Sequence, residues 1–332
     1  MKILVTGGAG YIGGTVATRL AETGHKPLIF DDLSHSRRER VPAGIPFLEG
    51  TLHDRALLEQ TFHDAETAGE PFEGVLHFAA FIEAGESMEV PEKYFRNNTA
   101  GTLSLLEAML AAGPRRLVFS STAAVYGEPD STPIREDARL QPTNAYGESK
   151  LLVEQMLAWM NRIHGLRYAS LRYFNVAGAP EGDGVVRGES HEPESHLIPL
   201  VLDVALGRRP SIKIFGDNYP TPDGTCIRDY IHVSDLTDAH LLALNALERN
   251  DRVICNLGNG KGFSVQEVIE SARRVTGHPI PAELHARRSG DPAVLVASSE
   301  RAMQQLGWKP RYTDLDEIIR TAWEWHQKRY QS

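Results

Sequence analysis

Two groups of side chains in this sequence have the type and spacing for proton chemistry. Tyr146 and Lys150, in the segment Tyr-Gly-Glu-Ser-Lys, stand at i and i+4, so a helix puts them on one face. A free tyrosine ionises near pH ~10 and is a poor base at neutral pH. A cation such as Lys150 beside it favours the phenolate, and the pair can then act as general base or acid. The second group, Ser120-Ser121-Thr122, ends the apolar run that precedes this helix. In a parallel α/β sheet that carboxyl end is where ligands sit.

A third segment can hold a phosphate. Gly7-Gly8-Ala9-Gly10-Tyr11-Ile12-Gly13 satisfies G-x-G-x-x-G through Gly8, Gly10 and Gly13, and G-x-x-G-x-x-G through Gly7, Gly10 and Gly13. A side chain at the closest approach would hold a pyrophosphate away from the helix N-terminus. A glycine fingerprint alone is weak. Here a short apolar strand (Lys2–Thr6) precedes it, helical spacing over Ile12–Thr23 follows, and Asp31 lies about 20 residues on. An aspartate there accepts from ribose hydroxyls and repels a 2′-phosphate, so NAD is expected rather than NADP. Arg37-Arg38 read as a solvated charge run after the turn.

Strands and helices alternate at the pace needed to position these groups. Pro27–Phe30, Val75–Phe78, Leu117–Ser121 and Ala169–Tyr173 read as further strands, with a long helical segment from about Pro91 to Ala112 and another from near Tyr146. That pattern predicts an α/β fold: a Rossmann-type doubly wound parallel sheet built from right-handed crossovers. After about Phe174 the texture changes, and residues 176–195 read as a long Gly-, Pro- and charge-rich loop. We therefore expect a NAD-binding domain over 1–175, with a returning segment near 228–247. A smaller C-terminal, mainly substrate-binding lobe is expected over 176–332, ending in an amphipathic helix from Leu315 to Arg329.

The 332 residues suffice for one large or two unequal domains. A net charge of -9 argues against nucleic acid or an anionic membrane as main partner. Two cysteines, Cys226 and Cys255, fit a reducing compartment. The N-terminus runs straight into a strand without a secretory pattern, and no run approaches the roughly 20 apolar residues of a membrane span. A cytoplasmic protein is expected.

The motifs GGAGYIG, HFAAFIEAGES, SSTAAVYG, NAYGESK, LRYFNVAG and TCIRDYIHV together resemble the extended short-chain dehydrogenase/reductase family, and within it the epimerase branch. The resemblance runs from Met1 to about Trp325. It implies NAD-dependent epimerisation at C4 of a UDP-hexose through a transient 4-keto sugar, in a homodimer pairing helices near 97–112 and 146–163. It makes Tyr146 the catalytic base, Lys150 its partner, and Thr122, often serine in the family, the hydroxyl that bonds the reacting sugar oxygen. It implies coenzyme contacts at Tyr11, Ile12, Asp31, Ser36, Phe78, Ala79 and Asn97, beside Gly7, Gly10 and Gly13. Nucleotide-sugar contacts are implied at Asn175, Leu197, Phe215 and Arg228, with Arg287 and Asp291 near phosphates and ribose. Guanidinium groups suit phosphate, although Arg228 can otherwise pair with Asp229.

Three positions depart from the family pattern. Thr51 follows Gly50 where aspartate is usual, His196 replaces a common asparagine that contacts the sugar nucleotide, and Leu295 aligns with the wall of the sugar pocket. UDP-pentose and UDP-uronate epimerases keep the same core and stay as alternatives. A 4,6-dehydratase is disfavoured, since Ala123-Ala124 replace the acid and base it needs after the threonine. A non-catalytic NAD-sensing regulator has no need of Tyr146, Lys150 and Thr122. The segment His191-Glu192-Pro193-Glu194-Ser195-His196 is near in composition to H-E-x-x-H. Its histidines are five apart and Pro193 interrupts any helix, so a surface loop and no metal site are expected. Trp323, Trp325 and Tyr330 are expected to pack or lie at the surface.

Overall fold

The β-branched and leucine-rich runs form strands buried on both faces, as a parallel sheet covered by helices demands. The computed structural model describes residues 1–181, 187–191, 193–288 and 291–331. Seven strands form its main sheet: β1 Lys2–Thr6, β2 Lys26–Asp31, β3 Phe47–Glu49, β4 Phe72–His77, β5 Arg116–Thr122, β6 Arg167–Tyr173 and β7 Arg252–Leu257. Their order is β7-β6-β5-β4-β1-β2-β3, and every pair is parallel. The chain leaves β1 towards β2 on one side and later resumes at β4 on the other. The crevice opened by that switch, at the carboxyl ends of β1 and β4, is the ligand position of such sheets.

Alternation along each strand divides the core in two. Ile3 and Val5 face the helices Tyr11–Glu22 and Val233–Ala246, packing with Val16, Leu20, Leu236 and Ala243. Leu4 faces the other layer, with Phe62 from Arg55–Thr67, Met109 from Gly101–Ala112 and Leu157 from Ala145–His164. The helical stretch expected from Pro91 to Ala112 is not uniform. Helix Pro91–Tyr94 widens into a π turn over Phe95–Ala100 before α-helix resumes at Gly101.

Three further helices, Leu197–Ala205, Val265–Thr276 and Leu315–Gln331, share a separate core around Val201, Leu202, Ile269, Ile318 and Ile319. Small strand pairs link this part to the main sheet: Tyr230–His232 with Asn175–Ala177, and Ile227–Arg228 with Phe263–Ser264 and Val294–Leu295. The expected loop over 176–195 therefore begins as a strand; residues 182–186 and 192 of it lie outside the described residues. The return to the first half is longer than the expected 228–247. It includes β7 and the segment around Ala302, Leu306 and Trp308, all packed on the core of β1. Trp308 Nε1 donates to the Asp235 carbonyl at 2.8 Å and fixes this return.

Candidate active site

The glycine loop works by close packing. Gly7 has φ 71°, and a Cβ there would stand 2.5 Å from the Ala79 nitrogen. A Cβ on Gly13 would stand 2.4 Å from the Gly7 carbonyl oxygen. These two glycines let β1 turn tightly into the helix at Tyr11. That helix has Gly10 as its N-cap and no side-chain cap. Its first N–H groups are left for an external acceptor, as a pyrophosphate site requires.

Around this loop lies one pocket, lined by Gly7, Gly10, Tyr11, Ile12, Gly13, Asp31, Ser36, Phe78, Ala79, Asn97, Thr122, Tyr146, Lys150, Asn175 and His196. Every residue expected at the coenzyme is on that wall. Asp31, at the end of β2, accepts from the Ala9 nitrogen at 3.0 Å and the Leu33 nitrogen at 2.9 Å. Burial pushes its carboxyl up, and these two backbone hydrogen bonds oppose that shift. Ser36 Oγ donates to the Ala9 carbonyl at 2.6 Å, closing the loop against the turn after β2. Arg38 stacks on Phe47 at 4.0 Å, so this member of the basic pair is engaged away from the ribose position. Glycines without Cβ at the pyrophosphate and a carboxylate at the end of β2 fit NAD.

Asn144 starts the second key helix by accepting from the Gly147 nitrogen at 2.8 Å. A Cβ on Gly147 would lie 2.6 Å from the Ala124 carbonyl oxygen, so glycine brings this helix onto the end of β5. Tyr146 thereby joins Thr122 on the pocket wall. Lys150 is 3% exposed; its Nζ donates to the Ser120 carbonyl at 3.0 Å and lies 4.9 Å from the centre of the Phe119 ring. Burial pushes the Tyr146 phenol up to about 12, opposed by the Thr122 side chain. Burial also brings the Lys150 ammonium down to about 7.

The three hydroxyls of Ser120-Ser121-Thr122 do not act together. Strand alternation points Ser120 and Thr122 into the pocket, where Ser120 Oγ hydrogen-bonds the Tyr173 hydroxyl. Ser121 points the other way and donates to Glu154 at 2.6 Å. Glu154 pairs with Arg172 at 2.5 Å inside the core. Sequence reasoning missed Tyr173, Phe174, His35 and Glu189, all on the pocket wall. Tyr173 had a signal: it ends β6 in register with Thr122.

The remaining sugar-nucleotide candidates form a second group outside this wall. Leu197 opens its helix and packs on the C-terminal core. Arg228 is ion-paired with Asp291. The expected alternative, a pair with Asp229, is not formed. Asp229 instead accepts from the backbone nitrogens of Asn259, Gly260 and Ala297. Arg287 lies 3.9 Å over the Tyr219 ring, and Arg288 stands 4.0 Å over Phe215. Leu295 pairs with Arg228 across the strands and packs by Phe174, which links this group to the pocket.

His191 and His196 lie in irregular chain, as expected of a loop, with Pro193 and Ser195 exposed between them; both histidines also line the coenzyme pocket with Glu189, their ring centres 5.6 Å apart. The i, i+5 spacing excludes a shared helical face, yet the two rings stand side by side on the pocket wall. Of the tail aromatics, Trp323 is buried. Trp325 packs on Gly188 and donates to the Glu189 carbonyl at 3.1 Å.

A doubly wound sheet whose switch-point crevice holds a glycine loop, an aspartate after β2 and a buried tyrosine–lysine pair defines a dinucleotide-dependent enzyme of the short-chain dehydrogenase/reductase kind. The chain belongs to the NAD dependent epimerase/dehydratase family, whose model matches residues 3–258. It is 55% identical to the UDP-glucose 4-epimerase of Streptomyces lividans over 98% of this chain and 96% of that protein. A crystal structure of a UDP-glucose 4-epimerase superimposes with a TM-score of 0.94 at 50% identity, covering 99% of this chain and 98% of that one. A second, from Stenotrophomonas maltophila with bound NAD and formylated UDP-arabinopyranose, has a TM-score of 0.94 at 39% identity, covering 100% and 99%.

Proposed function

We infer that this protein interconverts UDP-galactose and UDP-glucose by NAD-dependent epimerisation at C4, through a transient 4-keto sugar. The observation that carries this reading is the convergence of Tyr146, Thr122 and Lys150 on the pocket that also holds Gly10, Gly13 and Asp31. NAD held by Gly7, Gly10, Gly13 and Asp31 would supply the hydride acceptor, and later donor, for the C4 hydrogen. Tyr146 takes the C4 hydroxyl proton as phenolate and returns it after the sugar has turned over. Thr122 holds the reacting oxygen on the tyrosine side. Lys150, fixed by Ser120, supplies the positive charge that offsets the burial of the phenolate.

Turning the sugar over requires a firm grip on the nucleotide and a loose one on the hexose. Arg228 and Arg287 have the planar donor groups that suit a pyrophosphate, with Asp291, Phe215, Leu197, Asn175 and His196 around the nucleotide. Leu295 bounds the sugar side. Since the coenzyme is restored in each turnover it need not leave, and we expect NAD to copurify.

Among the described residues no helix is long and apolar enough to cross a membrane. Cys226 and Cys255 are free and buried, which supports a cytoplasmic location. Trp159 and Ile163 are 60% and 63% exposed one turn apart on helix Ala145–His164, and Leu103 is exposed on Gly101–Ala112. A homodimer covers this face.

Incubation of the purified protein, without added NAD, with UDP-galactose, UDP-N-acetylgalactosamine and UDP-xylose separately tests the assignment. Conversion of UDP-galactose to UDP-glucose is expected, and interconversion of none of the three contradicts it. Preferential turnover of UDP-xylose would move the assignment to the pentose.

A further inference from the structure

The proton chemistry of Tyr146 leaves one cluster on the pocket wall unused. Glu189, His191 and His196 each offer a donor atom, and these atoms all lie within 4.8 Å of one another. The segment carrying them is anchored from two sides. Trp325 Nε1 donates to the Glu189 carbonyl, and the Arg40 guanidinium donates to the Ser190 carbonyl at 3.2 Å. Arg187 adds hydrogen bonds to the carbonyls of Gly10 and Arg40, so the segment is tied to the glycine loop itself.

We propose that Glu189, His191 and His196 form a site for one zinc-class divalent transition-metal ion, with a coordination position open to the pocket. Two imidazoles and one carboxylate are the donor set of a three-ligand zinc site, whereas calcium and magnesium prefer all-oxygen cages. His196 Nδ1 meets Glu194 Oε1 at 2.8 Å. That contact fixes the ring and leaves Nε2 as donor, the carboxylate–histidine–metal arrangement that orients ligands in such sites. At bond lengths of about 2.0–2.1 Å, tetrahedral donors stand roughly 3.4 Å apart. The Glu189 Oε1 to His191 Nδ1 contact of 2.5 Å would have to part, and donors up to 4.8 Å apart would have to draw in, to hold an ion.

Without an ion the same carboxylates contact the imidazoles, Glu189 with His191 and Glu194 with His196. His196 is also the residue expected beside the sugar nucleotide, so the open position faces that ligand. The site does not depend on the epimerase reading, because metal binding is measured without turnover.

The test uses the full chain with its NAD, free of any histidine tag, stripped with chelator and titrated with Zn²⁺ by calorimetry. One ion per chain is expected, as are the visible bands of tetrahedral Co²⁺ after cobalt substitution. His191→Ala should abolish both, and Glu194→Gln should weaken Zn²⁺ binding by about 10–100-fold. Retained NAD content and circular dichroism report that the variants are folded. Binding no tighter in the wild type than in His191→Ala overturns the site. If that variant fails to fold, unchanged affinity in Glu194→Gln overturns it instead.

Discussion

Lys150 and Ser120 are joined by a 3.0 Å hydrogen bond from Nζ to the Ser120 carbonyl, which ties the catalytic helix to the end of β5. Through it a buried ammonium is held one helical turn from Tyr146, and burial is what lowers its affinity for the proton. Tyr146→Phe removes the proton acceptor and Lys150→Met removes the charge that makes it one. Each should lower kcat by about 10²–10⁴-fold, the range of a positioned acid–base group. Steady-state kinetics with UDP-galactose checks this; near-normal kcat in Tyr146→Phe would rule out its role.

The dinucleotide site makes a steric prediction. A Cβ on Gly13 collides with the Gly7 carbonyl, whereas one on Gly85 meets nothing within 4 Å. Gly13→Ala should purify with its NAD content largely lost, and Gly85→Ala should retain it. Absorbance at 260 nm after acid release of the coenzyme reads both. Equal NAD in the two variants would show that the turn is not limiting.

The Glu154–Arg172 pair predicts a stability effect apart from the chemistry. Both side chains are inside the core, and Glu154 also accepts from Ser121. Arg172→Met leaves a buried carboxylate without its cation and should cost about 3–5 kcal/mol. Urea unfolding measures it, and a loss under about 1 kcal/mol, what an exposed pair is worth, would contradict the burial.

Three buried histidines set the acid limb of stability. Burial lowers His77 and His232 to about 3 and His240 to about 4. Their folded values lie below the unfolded value of about 6.5, so the unfolded chain binds more protons between the two. Stability is then full above pH ~6.5 and is lost as pH falls towards 4, by about 1.4 kcal/mol per pH unit for each histidine. His240 Nε2 has no hydrogen-bond partner, so His240→Leu should reduce that slope by about a third. Urea midpoints from pH 6.5 to 4.5 report it, and a flat profile would refute the assignment.

The exposed face of helix Ala145–His164 predicts assembly. Trp159→Glu puts a charge at the centre of the proposed dimer contact and should yield monomers by light scattering. A monomeric wild type would rule out this interface.

Much of the fold was legible because it rests on local pattern. A β-branched run ending in glycine marked β1, short apolar runs marked its neighbours, and the spacing of Gly7, Gly10, Gly13 and Asp31 marked the coenzyme crevice. Tyr146 and Lys150 were readable because a helix converts spacing into a shared face. That His191 joins His196 and Glu189 on the pocket wall was not legible for the complementary reason: in irregular chain, spacing says nothing about distance. The π turn at Phe95–Ala100 carries no propensity signal, since one widened turn depends on packing against the helix at Ser149. The opposed directions of Ser121 and Thr122 follow from strand alternation, but only once Thr122 is known to belong to β5.

The most direct measurement follows the C4 hydrogen. UDP-galactose deuterated at C4 is incubated with the purified protein in ordinary water, without added NAD, and the product is read by mass spectrometry and NMR. Epimerisation within one pocket predicts UDP-glucose with the deuterium still at C4, because the hydrogen is taken and returned there. No conversion, or product whose C4 deuterium has been lost to solvent, would contradict it.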